Sequence, residues 1–193
     1  MADPRAGRVG DRPRGRGCGR AARETVVTRR RFLNCVAVAA AALGCGRPVE
    51  VTLKTGDRPK TATLDTLMGG RVALPEAYRG QVVLVNFWAS WCPACREEFE
   101  ALEHVFGEYR PREVILVSVN VGETKTVVTE SLGTRKVTYP ILLDADSAAA
   151  KLYGVTGIPT TFVLDRGGAI AFKILGEINR EGLRRILSGA LGT

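Results

Sequence analysis

Residues 81–89 read QVVLVNFWA, an almost unbroken apolar run of strand length. A half-exposed strand alternates apolar and polar side chains; a continuous run has to be covered on both faces. The segment therefore predicts a central strand of a sheet with helices on each side. The next forty residues fit that frame. Pro93–Tyr109 places Phe99, Leu102, Phe106 and Tyr109 at helical spacing, with Glu97, Glu100 and Glu103 elsewhere on the surface. Val114–Val121 is a second continuous β-branched run, which completes a strand–helix–strand unit.

The flanking segments extend the sheet. Residues 49–55 alternate and then break at Gly56-Asp57-Arg58-Pro59, which predicts a strand. Residues 61–67 and Arg71–Leu74 flank Gly69-Gly70, which predicts a hairpin ahead of the central strand. Residues 123–132 predict a helix ending at Gly133, and residues 139–144 and 160–165 predict strands. Gly167-Gly168 turns the chain into a strand over 169–175. Asn179 caps a last helix, Arg180–Leu191, with Leu183, Ile186 and Leu187 inward. The expectation is an α/β domain: a mixed central β-sheet flanked by helices, with an N-terminal β-hairpin extension.

Charge separates this domain from what precedes it. Residues 1–44 carry ten arginines against three acids, whereas residues 45–193 carry 18 Lys and Arg against 17 Asp and Glu. The folded part is nearly neutral, so a nucleic-acid-binding reading loses its basis. Residues 1–25 are rich in Arg, Gly and Pro and cannot build a core; translation is expected to start at Val26 or Val27. Thr28-Arg29-Arg30-Arg31-Phe32-Leu33-Asn34, followed by the apolar stretch to Gly44, has export-signal architecture, and no run of 18 apolar residues exists to span a bilayer. The order Thr-Arg-Arg-x-Phe-Leu resembles a twin-arginine signal, with ordinary secretory export as the alternative. Ala42-Leu43-Gly44-Cys45 resembles a lipobox in which Cys45 becomes the lipidated first residue; cleavage nearby or an uncleaved leader anchor are the alternatives. The division is a leader over 1–44 and one domain over 45–193. Cys18 and Cys35 fall in the leader and carry no chemistry in this reading.

The remaining two cysteines stand in Trp91-Cys92-Pro93-Ala94-Cys95, where the central strand becomes a helix. Two cysteines three apart at a helix start can close a disulfide. Cys92 faces the orphan N–H groups and positive dipole end of the helix, which favour thiolate; sites of this kind bring a cysteine pKa down from ~8.5 to ~3.5–7.5. Pro93 suits the first helical position, where no N–H is needed. Cys95, a turn further in, is expected to be buried and to attack second. A zinc site would need about four ligands. The chain has no second Cys-x-x-Cys, and His104 is its only histidine, read as a surface or half-buried residue. A passive structural disulfide is the remaining alternative.

Residues 85–95, VNFWASWCPAC, followed by residues 157–165, GIPTTFVLD, resemble the thioredoxin superfamily. More narrowly they resemble its membrane-anchored TlpA/ResA/CcmG-like branch, over roughly residues 49–191. The resemblance implies that Cys92 is the attacking thiol and Cys95 the resolving thiol. It implies that Pro159 is a cis-proline facing the disulfide and that the backbone of Ile158 meets a substrate chain, with Trp91 and Pro93 beside it. Asn86 stands where thioredoxins proper bury an Asp, and Glu98 matches the active-site glutamate of the branch. Glu100 stands where the branch often has Pro, so a kink there is not expected. The implied activity is that of an extracytoplasmic reductant of protein disulfides, the haem-binding cysteine pair of apocytochrome c among them. A membrane thiol electron donor reopens the pair, and no further cofactor is required. A disulfide oxidase or isomerase and a thiol peroxidase share these residues. A copper carrier of this fold spaces its cysteines four apart and adds a distal His, which this chain lacks.

Overall fold

The computed structural model describes residues 53–112 and 114–192. Its order is β1 (Ala62–Thr66), β2 (Arg71–Leu74), β3 (Val82–Trp88), α1 (Pro93–Tyr109), β4 (Val114–Val121), α2 (Lys125–Leu132), β5 (Ile141–Asp144), α3 (Ala148–Leu152), β6 (Thr160–Leu164), β7 (Ile170–Leu175) and α4 (Arg180–Leu191). The strands form one sheet in the order β2-β1-β5-β4-β3-β6-β7. β3, β4 and β5 run parallel, and β6, β7 and the β1–β2 hairpin join antiparallel. The α/β mixed sheet and its leading hairpin are as the sequence predicts.

All seven residues of β3 are buried. Val82, Leu84 and Trp88 point into the core under α1, α2 and α4, and Val83, Val85 and Phe87 into the core beneath α3. On the first face Trp88 meets Phe99 of α1 edge to face, with ring centroids 4.7 Å apart. On the second, Phe87, Phe162 and Tyr153 form a mutually tilted aromatic triple. Tyr153 lies at the end of α3, which the sequence did not predict. That helix has five residues, too few to show a period. Its start is made by Asp144 at the end of β5, whose buried carboxylate accepts the N–H groups of Ala149 at 3.0 Å and Ala150 at 2.8 Å. These are orphan donors of a helix first turn.

Two other expectations change. The predicted strand over 49–55 lies partly outside the described residues, as do the leader and Cys45. The described part, Leu53–Thr55, is not a strand. Asp57 accepts the Lys54 N–H at 2.8 Å and donates its own N–H to the Lys54 carbonyl at 3.1 Å, which closes a turn through Gly56 at φ +92°. Gly56 and Asp57 then bond to Ile170 of β7. The second change is at α2, which begins at Lys125 rather than Glu123. Thr124 is its N-cap, and the Glu123 side chain is engaged elsewhere.

Replacing Asp144 with Ala removes both cap bonds of α3 and leaves two buried amides unsatisfied. Stability is expected to fall by about 2 kcal/mol, seen as a lower urea midpoint at unchanged slope. A midpoint equal to wild type would show that α3 does not need this cap.

Candidate active site

The site forms where β3 ends and α1 begins. Cys92 is the N-cap of α1, extended at φ −89°, ψ 109°, and Pro93 follows in the first turn. This geometry turns the Cys92 sulfur back over the helix start, where it accepts the Cys95 N–H at 3.1 Å. The two cysteines are joined as a disulfide with Cα atoms 5.3 Å apart. From the opposite side, the loop before β6 brings Ile158, whose carbonyl oxygen lies 3.9 Å from the Cys92 sulfur. The Ile158–Pro159 bond is cis. Residues 66 positions apart thus converge on one sulfur.

The expected contrast in exposure between the cysteines is absent. Cys92 is 5% exposed and Cys95 2%. Their asymmetry is electrostatic: the Cys92 sulfur alone accepts a helix N–H, and it occupies the positive end of α1. The surroundings are apolar and open. Trp91 is 70% exposed and Leu175, at the end of β7, is 65% exposed. Leu175 leans over the loop that carries Ile158, its Cδ1 lying 3.5 Å from where a side chain on Gly157 would begin. Trp91, Ile158 and Leu175 together form an apolar platform around the disulfide.

Beneath the platform is a buried polar row. β3 pairs Asn86 with Ser118 of β4 on one side and Thr161 of β6 on the other. The Ser118 hydroxyl donates to Asn86 Oδ1 at 3.3 Å. Asn86 Nδ2 donates to Thr161 Oγ1 at 3.1 Å and to Glu98 Oε2 at 3.2 Å. Glu98, one turn beyond Cys95 on α1, is 1% exposed, and its other oxygen accepts the Ile178 N–H at 3.3 Å. Burial raises the Glu98 pKa from 4.5 to about 7. The Ile178 and Asn86 bonds pull against burial, and the Glu177 charge adds to it. Nearness to the cysteines in sequence suggests thiolate repulsion as the cause of such a rise; with the two sulfurs joined in an uncharged disulfide, burial is the main cause.

Glu123 holds the loop before Cys92 in place, a role that the sequence reading missed. It accepts Ser90 N–H at 2.8 Å, Asn120 Nδ2 at 2.6 Å and the Ser90 hydroxyl. Desolvation acts to raise its pKa, but the Asn120 and Ser90 bonds outweigh it and hold the carboxyl below its usual range. Glu123 thereby ties the loop carrying Trp91 and Cys92 to the end of β4. The only local signal was Gly122, at φ +75°, breaking the chain before the Thr124 cap. Nothing in one sequence pairs residues 90 and 123.

Glu100 and His104 are surface features. Glu100 pairs with Arg180 of α4, and α1 runs unbroken past it. His104 pairs with Glu108 at 3.0 Å. Among the described residues no three of His, Cys, Asp and Glu cluster to hold a metal ion, and no helix is long and apolar enough to cross a membrane.

A family model described as AhpC/TSA matches residues 55–173. The chain belongs to the AhpC/TSA family. Within it, the chain is 34% identical over 110 residues to the thiol-disulfide oxidoreductase ResA of Geobacillus thermodenitrificans. That match covers 57% of this chain and 63% of the relative, so the chain spans somewhat under two thirds of that relative's length. It is 30% identical over 130 residues to ResA of Bacillus subtilis, covering 67% of this chain and 72% of that one. Among solved structures it is similar to a putative thiol:disulfide interchange protein DsbE from Chlorobium tepidum. There the TM-score is 0.68 and the identity 30%, over 72% of this chain and 99% of that chain. It is also similar to StoA from Bacillus subtilis, with TM-score 0.59 and 30% identity, over 67% of this chain and 97% of that one. The thioredoxin-like fold expected from the motifs is therefore present.

The raised Glu98 pKa has a measurable consequence. A carboxyl whose folded pKa lies above its unfolded value binds its proton more tightly when folded. Its contribution is complete below pH 4.5 and is lost as pH rises through about 7. Glu98→Gln lacks that loss. In the oxidised form, the stability of the variant relative to wild type is expected to improve by roughly 2 kcal/mol between about pH 5 and 8. A difference independent of pH, measured by denaturant unfolding, would place the Glu98 pKa at its ordinary value.

Proposed function

We propose that this domain is an extracytoplasmic thiol-disulfide oxidoreductase that reduces protein disulfides through Cys92 and Cys95. The observation that carries the reading is the Cys92 sulfur, held at a helix start by the Cys95 N–H and faced by the Ile158 carbonyl. That arrangement suits an attacking sulfur with a backbone edge beside it for an extended substrate. In the dithiol form the Cys92 thiolate attacks one sulfur of a substrate disulfide. The substrate S–S bond breaks, a mixed disulfide forms, and the departing sulfur leaves as a thiolate that takes a proton from water. Cys95 then gives its proton to the ionised Glu98 and attacks the Cys92 sulfur. The mixed disulfide breaks, the second substrate sulfur leaves as a thiolate and takes a proton from water, Glu98 releases the Cys95 proton to solvent, and Cys92–Cys95 closes. The substrate gains two electrons and two protons, and the domain loses two electrons, with its two thiol protons passing to solvent.

The reducing direction is supported by Glu98. A low-pKa, stabilised thiolate makes a strong oxidant, because it stabilises the reduced form. A buried carboxyl one turn from Cys95 opposes a second negative charge there and works against that stabilisation. The substrate class we propose is an extracytoplasmic protein disulfide such as the haem-binding cysteine pair of apocytochrome c. A membrane thiol electron donor reopens Cys92–Cys95 after each turnover. The similarity to proteins named thiol-disulfide oxidoreductase supports this reading, as does the export-signal architecture of the leader.

Cys95→Ser is expected to accumulate mixed disulfides with partner proteins through Cys92, and Cys92→Ser few. Brief alkylation of the reduced protein with mass spectrometry should label Cys92 first; preferential labelling of Cys95 would reverse the assignment. The pair's reduction potential is expected to lie well below the roughly −120 mV of a dedicated oxidant. Attachment is tested separately. Cys45→Ala is expected to release the domain into the soluble extracytoplasmic fraction, since acyl chains hold a lipoprotein at the membrane. Full membrane retention would assign the anchor to the leader.

A further inference from the structure

The end of β7 and its connection to α4 reach the site at three points. Leu175 leans over Gly157. The Gly176 N–H donates to the Pro159 carbonyl at 2.8 Å, and the Ile178 N–H donates to buried Glu98 at 3.3 Å. Between those two anchored amides stands Glu177, whose side chain is exposed. Its backbone is thus held on both sides, next to the apolar platform of Trp91, Ile158 and Leu175, while its carboxylate faces solvent. Its charge also reaches Glu98, where it disfavours ionisation.

We infer that Glu177 selects the substrate: it receives a Lys or Arg that flanks the substrate cysteine when the neighbouring apolar residue lies on Trp91 and Leu175. This rests on the protein-disulfide reading above and adds to it a preference for basic flanks over acidic ones. The geometry also links binding to chemistry. The Asn86 amide on β3, and the Ile178 N–H and Glu177 charge ahead of α4, act on Glu98, and the Tyr139 phenol ahead of β5 lies within reach of its charge. Burial keeps the Tyr139 phenol protonated, and Asn86 is neutral, so Glu177 supplies the charge. A cation bound at Glu177 offsets that charge and eases ionisation of Glu98, the form that accepts the Cys95 proton in the resolving step.

The test uses the full chain in its dithiol form and three synthetic peptides. They share one intramolecular disulfide and one apolar neighbour, and differ only in a flanking Lys, Gln or Glu. At low salt the wild type is expected to reduce the Lys peptide about fivefold faster than the Glu peptide, the scale of an exposed ion pair. The ratio should fall toward one in about 1 M salt, where charges are screened. Glu177→Gln should bring it close to one at low salt, and Glu177→Lys should invert it. A second readout is the Glu98 carboxyl resonance in the oxidised chain. Its midpoint should fall below that of wild type in Glu177→Gln. Equal wild-type rates on the Lys and Glu peptides would overturn the inference alone, as would a preference that survives Glu177→Gln. Failure to reduce any of the three, the Gln peptide included, would overturn the reductant reading and this inference with it.

Discussion

The site depends on one constraint, the complete burial of β3. A strand covered on both faces can carry a polar side chain only where neighbouring strands satisfy it. Asn86 is that side chain, and the register of β4 and β6 supplies Ser118 and Thr161 beside it. Both donors and the acceptor of its amide are engaged, so the N–H that meets Glu98 is held in place by the sheet. An Asp in the same position would set a second buried carboxyl against Glu98, and the two could not both ionise at ordinary pH. Asn86 leaves Glu98 as the single acid of this buried row.

Two opposing effects then act on the sulfur pair. The helix start and the Cys95 N–H stabilise negative charge on Cys92, with helix termini contributing about 0.3–1 kcal/mol in exposed settings and up to ~2 when partly buried. Against this stands Glu98. The displacement of its pKa from 4.5 to about 7 corresponds to about 3 kcal/mol of unfavourable ionisation. At neutral pH that acid is poised between its two forms, which suits the proton-accepting role proposed for it. The helix start favours negative charge at Cys92, and a buried carboxyl stands one turn beyond Cys95, which suits the attacking and resolving roles proposed for them.

Three loops converge to build this arrangement, and each is tethered by backbone hydrogen bonds. Glu123 holds the loop before Cys92, Gly176 holds the loop with Pro159, and Ile178 holds Glu98. The Cys92 sulfur therefore sits among hydrogen-bonded segments, while Trp91, Leu175 and Glu177 nearby are exposed. Precision in the chemistry and latitude in recognition reside in adjacent atoms.

Much of this was legible in the order of residues. The apolar run of β3, the helical spacing of α1 and the cysteine pair between them were enough to place a disulfide at a strand–helix junction, because those signals are local. The resemblance added Glu98 and Pro159. Tertiary structure decided what local pattern cannot hold. The five residues of α3 form a helix because Asp144 caps them from the preceding strand. Leu53–Thr55 turns instead of extending because Asp57 closes on Lys54. Glu123 leaves its predicted helix because Ser90, 33 residues earlier, offers two donors. The cause of the Glu98 shift also belongs to the fold. Sequence set that carboxyl one turn from Cys95, but only the packing of α1 against the sheet and the Ile178 segment removed it from water, and desolvation depends on what surrounds a group in space.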